Sequence, residues 1–318
     1  MRFRCVIGVL VLGLAGALVG VAPDGVSGVA ARERCRATVF VANTASDSVS
    51  TIDVKTRTKN PSDTVSTIDV KTRTKYSDDI PVGSFPFNDA ITPDGKTAFV
   101  TNNLNGTVST IDVKARTKHP DDIPVGSFPG GVAVTPDGKT TFVANFGSGT
   151  VSTIDVKTRT THRTDIPVGP DAAQVAFTPD GKTAFVTKTN RAGQPGPSGT
   201  VSTIDVKTRT KHPDDITVGS FPGGVAVRPD GKTVYVANQG SGTVSTIDVK
   251  TRTKHPDDIP VGSNAASVGF TPDGKTAFVS NPGSGTVSTI DVKTKTKHPI
   301  DIPVGATPVG VAVTTCRR

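Results

Sequence analysis

The chain has 318 residues, no tryptophan and an apolar share of 34%, so its core must be built from Val, Ile, Phe and Ala within one large domain. Lysine and arginine outnumber aspartate and glutamate 36 to 28, a formal charge of +8 that draws polyanions without choosing among them. No Gly-x-Ser-x-Gly, P-loop, Cys-x-x-Cys or His-Glu-x-x-His motif occurs, which removes the familiar catalytic constellations.

Residues 1–31 differ in kind from the rest. Met1-Arg2-Phe3-Arg4 is basic, Cys5 to Ala22 is apolar, and Gly28-Val29-Ala30-Ala31 supplies small residues for cleavage. This order is that of an export signal removed from the mature protein. The alternative is a retained anchor, because the apolar run approaches spanning length. No second apolar run follows, so residues 32–318 are expected to be one exported domain without a membrane span, secreted or held at the cell surface.

From there the chain repeats itself. One copy, Gly219 to Val261, holds four short alternating runs: Val225-Ala226-Val227, Thr233 to Val236, Thr243 to Val249, and Asp258 to Val261. Pro229-Asp230-Gly231, Gly240-Ser241-Gly242 and His255-Pro256 separate them as turns. Four antiparallel strands in about forty residues make a propeller blade. The marker glycines Gly83, Gly126, Gly169, Gly219, Gly262 and Gly305 count six copies. The third strand alone occurs a seventh time, so residues 60–75 read as a duplicated strand insert. The expectation is an all-β, six-bladed β-propeller of four-stranded blades.

The ends are out of phase. The first blade has Thr38 to Asn43 but no strand before it, and the missing piece, Gly310 to Thr314, lies at the C-terminus. Pairing the two closes the ring and removes exposed edges. Cys35 and Cys316 fall at one turn of that split blade, which predicts a disulfide, while Cys5 leaves with the signal.

The second strands read Phe99-Val100-Thr101-Asn102, Phe142-Val143-Ala144-Asn145, Tyr235-Val236-Ala237-Asn238 and Phe278-Val279-Ser280-Asn281, with Thr-Pro-Asp-Gly-Lys-Thr before several of them and Gly-x-Gly-Thr-Val-Ser after. Over residues 36–318 these resemble the YVTN family of β-propeller repeats. The resemblance implies a propeller of prokaryotic, exported or cell-surface character, often seven-bladed, and carries over no catalytic residue. Phe185-Val186-Thr187-Lys188 departs from it by placing lysine where asparagine stands.

Function is sought where the copies disagree. His119, His162, His212, His255 and His298 share one loop position and are spread around the rim, so no shared metal and no cofactor are expected. At the entrance to the inner strands, polar residues alternate with glycine. Asn88, Asp89, Asp171, Gln174, Asn264 and Ser267 form a candidate ring at the channel mouth for a small polar ligand or cation. The plainer explanation is that the alternation packs the tunnel. The repeated Lys-Thr-Arg-Thr-Lys, with Lys207, Arg209, Lys211, Lys250, Arg252 and Lys254, predicts extended basic teeth and a candidate polyanion rim. Too few aromatics accompany it to favour nucleic acid.

Three readings remain open. The first is a monomeric binding or scaffold module at the cell envelope, its partner an unidentified protein or wall polymer. The others are a propeller enzyme of the lactonase or lyase type and a salt-sensitive polyanion binder.

Overall fold

The computed structural model describes residues 80–189 and 199–313, and before them the backbone of six strands between Val9 and Lys75. The described residues form strands and turns and no helix. Cys35 and Cys316, the predicted disulfide, lie outside the described residues, as does most of the expected signal.

The blade of residues 129–167 shows the plan. Pro129–Val134, Thr140–Asn145 and Thr150–Asp155 pair antiparallel in that order, and Thr160–Thr161 and Ile166–Pro167 share the far edge of the third strand. Four further sheets, within residues 86–124, 172–217, 222–260 and 267–303, follow the same plan. The blades of residues 129–167, 172–217 and 222–260 each lie between two others, so both faces of their second strands are buried, and Phe, Val, Ala and Thr follow one another there without an exposed face. The core sits between the blades. Phe142, Ala144 and Val151 of one blade pack with Ala172, Val175, Ala184 and Val186 of the next. Burying a side chain as large as Phe142 or Ile154 contributes about 2–3 kcal/mol.

The C-terminal strand Pro308–Val313 pairs with Val39–Asn43, as the phase of the ends predicts. The sheet count departs from expectation. Thr64–Asp69, read as part of an insert, is the middle strand of its own sheet. Val9–Val11 lies on one edge, with Thr74–Lys75 and Ile80–Pro81 on the other. The described strands therefore fall into seven sheets, two of which draw on residues before 80. A Val-Ser-Thr-Ile-Asp copy has the same alternation and the same two bondable edges wherever it stands, so it pairs as its siblings do.

Two turns also differ from the sequence reading. In the first copy Lys55–Arg57 is extended, but in the blade of residues 222–260 Lys-Thr-Arg-Thr-Lys is the reversal between third and fourth strands. Asp248 Oδ1 accepts from Thr251 N at 2.8 Å, Arg252 N donates to Asp248 O at 2.9 Å, and Arg252 takes a left-handed φ of 56°. His255-Pro256 accordingly makes no reversal. It interrupts the fourth strand between Thr253–Lys254 and Ile259–Pro260, which pair with the same neighbour.

Candidate ligand site in the axial channel

The strands Pro86–Ile91, Pro129–Val134, Ala172–Phe177, Pro222–Val227, Ser267–Phe270 and Pro308–Val313 contribute residues to one cavity of about 900 Å³. Each successive pair of these strands is in contact, from Pro86–Ile91 round to Pro308–Val313. In five of them the register with the second strand slips by a bulge, as between Pro129 and Val132.

The alternation of polar residues and glycine has a packing cause. Asn88 N donates to Thr101 Oγ1 at 3.0 Å, Gln174 N to Thr187 Oγ1 at 3.1 Å and Ser267 N to Ser280 Oγ at 3.2 Å. Each hydroxyl also donates across to the next blade: Thr101 to Gly130 O at 2.9 Å, Thr187 to Gly223 O at 2.9 Å and Ser280 to Val309 O at 3.3 Å. The intervening blades carry alanine in place of the hydroxyl and glycine at the axis. There the next strand comes closer still. A Cβ on Gly131 would stand 2.5 Å from Gln174 Oε1, and one on Gly224 would stand 2.7 Å from Ala266 O. Asn88, Gln174 and Ser267 thus serve the blade interfaces as well as lining the cavity.

Asp89 has no such employment. It lies one residue further in, opposite Val100 of the second strand. The same register in the other blades is held by Val132, Val175, Val225, Val268 and Val311, all of which line the cavity beside it. One carboxylate therefore interrupts a tier of valines. Asp89 is 6% exposed and neither carboxylate oxygen has a hydrogen-bond partner among the described residues. Burial pushes its pKa well above the usual carboxylate range. The alternation pointed to Asn88, whereas the feature without a structural task is its neighbour.

Asp171 also lines the cavity, in a left-handed conformation with φ 58°. Phe85, Phe128, Phe221, Asn264 and Thr307 take the same conformation at the equivalent place, where aspartate and asparagine fit more readily than phenylalanine. Asn264 is exposed and stands outside the cavity lining, apart from the other five predicted residues. Phe87, Phe128 and Phe146 complete the wall, a contribution the sequence reading passed over.

The rim is less basic than its lysine count suggests. Lys211 lies 3.0 Å from Asp215, and Lys254 lies 2.8 Å from Asp258, so each is neutralised within its own blade. Lys207, Arg209, Lys250 and Arg252 remain exposed at the turn tips. Two of the histidines meet arginines of the following blade: Arg159 Nη1 stands 3.0 Å from His119, and Arg252 Nη1 stands 3.4 Å from His212.

Lys188, the departure from asparagine, is a buried replacement for it. Asn102, Asn145, Asn238 and Asn281 each donate to a serine hydroxyl of the third strand, Asn145 to Ser152 at 2.8 Å for instance. Lys188 instead donates to Val168 O at 3.1 Å and forms a short ion pair with Asp215. Burial acts against the Asp215 charge, but hydrogen bonds from Lys188, Ser202 and Lys211 outweigh it and lower the pKa.

The repeated aspartates are turn residues. Asp94 Oδ1 accepts from Thr92 Oγ1 at 2.7 Å and Lys96 N at 3.1 Å, and these bonds take its pKa down to about 2. Asp137, Asp180 and Asp273 repeat the arrangement.

The YNCE-like beta-propeller family matches residues 97–194, and the family described as lactonase, 7-bladed beta-propeller matches residues 156–260. Each match spans about a third of the chain. No curated protein sequence matches. Among solved structures, Kuenenia stuttgartiensis hydrazine synthase is similar at 22% identity and a TM-score of 0.69, over 79% of this chain and 83% of that one. A protein from Bacteroides fragilis described as a candidate 6-phosphogluconolactonase is similar at 17% identity and 0.71, over 88% and 98%. One from Bacteroides uniformis with the same description is similar at 16% and 0.72, over 87% and 99%. At these identities the likeness carries the fold: the chain is an all-β propeller of repeated four-stranded antiparallel sheets.

Proposed function

We propose that this propeller is a binding module of the YVTN type, exported to the cell surface or beyond, whose ligand enters the axial cavity. One observation supports that reading above the rest: the buried, unpartnered carboxylate of Asp89 in a cavity of small-molecule size. Natural structures rarely bury a polar group without a partner unless it has a task there. In this reading the mature chain begins after residue 31, the ring is closed by the strand at each end, and Cys35 joins Cys316. Removing residues 1–31 takes Val9–Val11 from the sheet around Thr64–Asp69, so processing and that strand exclude one another. A thermal-shift screen of small molecules on the mature protein and on Asp89→Val tests the cavity. Ligands that stabilise the first and not the second support it, and a screen with no response overturns it.

Lactone hydrolysis is a second reading, favoured by the lactonase family match over residues 156–260. Asp171 and Asp89 are the carboxylates the cavity offers to such chemistry. A sugar-lactone assay decides it: turnover abolished by Asp171→Asn or Asp89→Asn would establish the enzyme, and absence of turnover would remove it. Polyanion binding rests on Lys207, Arg209, Lys250 and Arg252, because Lys211 and Lys254 are internally paired. Flow-through on heparin at low salt would dismiss it.

A further inference from the structure

Asp89 is a burden the fold does not require. Five blades fill its position with valine, and all six second strands meet that position in register, so an apolar side chain completes the tier. A carboxyl group without a partner in such surroundings lowers stability, which makes its presence a matter of what else occupies the cavity. The neighbours indicate the occupant. A divalent metal needs six to eight oxygen donors or a set of nitrogen and sulfur ligands. Valines supply none, and no group of three His, Cys, Asp or Glu side chains gathers among the described residues. A sugar needs hydrogen-bonding groups around its ring: Asn88, Asp171, Gln174 and Ser267 line the cavity, but at the depth of Asp89 itself the tier offers one polar side chain among valines, so the test sets neutral hydroxyl compounds against amines. An organic ammonium needs one anion, apolar walls for its carbon skeleton and aromatic faces for its positive charge. Phe87, Phe128 and Phe146 line the same cavity.

We infer that the cavity binds a small organic cation, with its ammonium group on the Asp89 carboxylate and its apolar part against the valine tier and the three phenylalanines. The inference rests on the axial cavity being the ligand site. The strands packed against Pro86–Ile91 add no competing titration: Thr97–Asn102, Pro129–Val134 and Val9–Val11 hold no ionisable side chain, and Asp171 is the other carboxylate of the lining. Uptake of the cation draws the proton from Asp89, whose pKa burial raises, so affinity should rise with pH as that carboxyl ionises.

Calorimetric titration of the mature protein, without residues 1–31, tests this with choline and benzylamine, set against their neutral counterparts 3,3-dimethylbutanol and benzyl alcohol. The amines should bind at least about tenfold more tightly than the alcohols, and Asp89→Val should lose that tenfold. Circular-dichroism melting confirms that Asp89→Val is folded, and Asp89→Asn, which keeps the shape and removes the charge, should show the same loss. Equal binding of amines and alcohols, or amine binding that survives both substitutions, overturns the inference. Alcohols or lactones that bind where amines do not overturn it and leave the cavity a ligand site. Silence from every probe, charged or neutral, overturns both.

Discussion

Asp89 and Tyr235 are two residues where one copy of the repeat has departed from its siblings at a cost. Asp89→Val should stabilise the empty protein by about 1–3 kcal/mol, read as a rise in the denaturant midpoint. The sign with pH follows from the raised pKa. An acid that holds its proton more tightly when folded subtracts stability as pH rises from its unfolded value to its folded one, so the advantage of Asp89→Val should grow from about pH 4 upward. Equal stability of the two proteins across that range would contradict the burial argument. Tyr235 takes the place of Phe99, Phe142 and Phe185, with a buried hydroxyl that has no hydrogen-bond partner, and its pKa is raised to about 12 by burial. Tyr235→Phe should therefore raise the melting temperature by about 2–4 °C. Both departures could be seen by aligning the copies. That one of them faces a shared cavity could not, because the cavity is assembled from strands far apart in the chain.

At the scale of the strand, the hydroxyl relays and Lys188 carry the blade-to-blade contacts that alternation alone does not specify. Thr101→Ala removes the acceptor for Asn88 N and the donor to Gly130 O together, and should cost about 2 kcal/mol in equilibrium unfolding. A loss below about half a kilocalorie would mean that water replaces the relay. Lys188→Asn restores the residue of the other blades and should be close to neutral, whereas Lys188→Met should cost about 1–2 kcal/mol at neutral pH, a modest figure because the Asp215 side chain keeps 26% of its exposure. Asp215 has a lowered pKa, so its contribution is present above the unfolded value and lost as acid protonates the folded state. The penalty of Lys188→Met should therefore shrink on acidification. Period-two alternation located the first three strands of each blade, because those runs are long enough to show it. The fourth was found only in part: Ile259–Pro260 falls inside the expected Asp258 to Val261, whereas Thr253–Lys254 was missed, being at two residues too short to display any period. The basic turn was read as extended because threonine favours strands, and the aspartate that folds it back stands outside the repeated Lys-Thr-Arg-Thr-Lys.

Over the whole molecule, the pairing of Pro308–Val313 with Val39–Asn43 was readable from phase alone, since an array that starts on its second strand and stops on its first invites the match. The number of sheets was not. A lone third strand looks the same whether it lies idle in a loop or finds edges to pair with, and Thr64–Asp69 finds Val9–Val11. If Cys35 and Cys316 are joined, they close nearly the whole chain into one loop, and reduction should cost about 4–5 kcal/mol by the entropy of that loop. An unchanged denaturant midpoint with and without reductant would show the two thiols to be separate.

The relays at Thr101, Thr187 and Ser280 recur in every second blade, and between them the glycine faces recur as often. Two kinds of seam alternate, each cut for a particular neighbour. A gene that gained or lost one copy would bring like edges together, with a hydroxyl facing no carbonyl or a side chain thrust where only hydrogen fits. Copies gained or lost in twos would leave every seam matched. Between residues 86 and 313 the unit that keeps these seams matched is thus the couple of blades, and grafting experiments that move such couples should yield folded protein where single transplants fail.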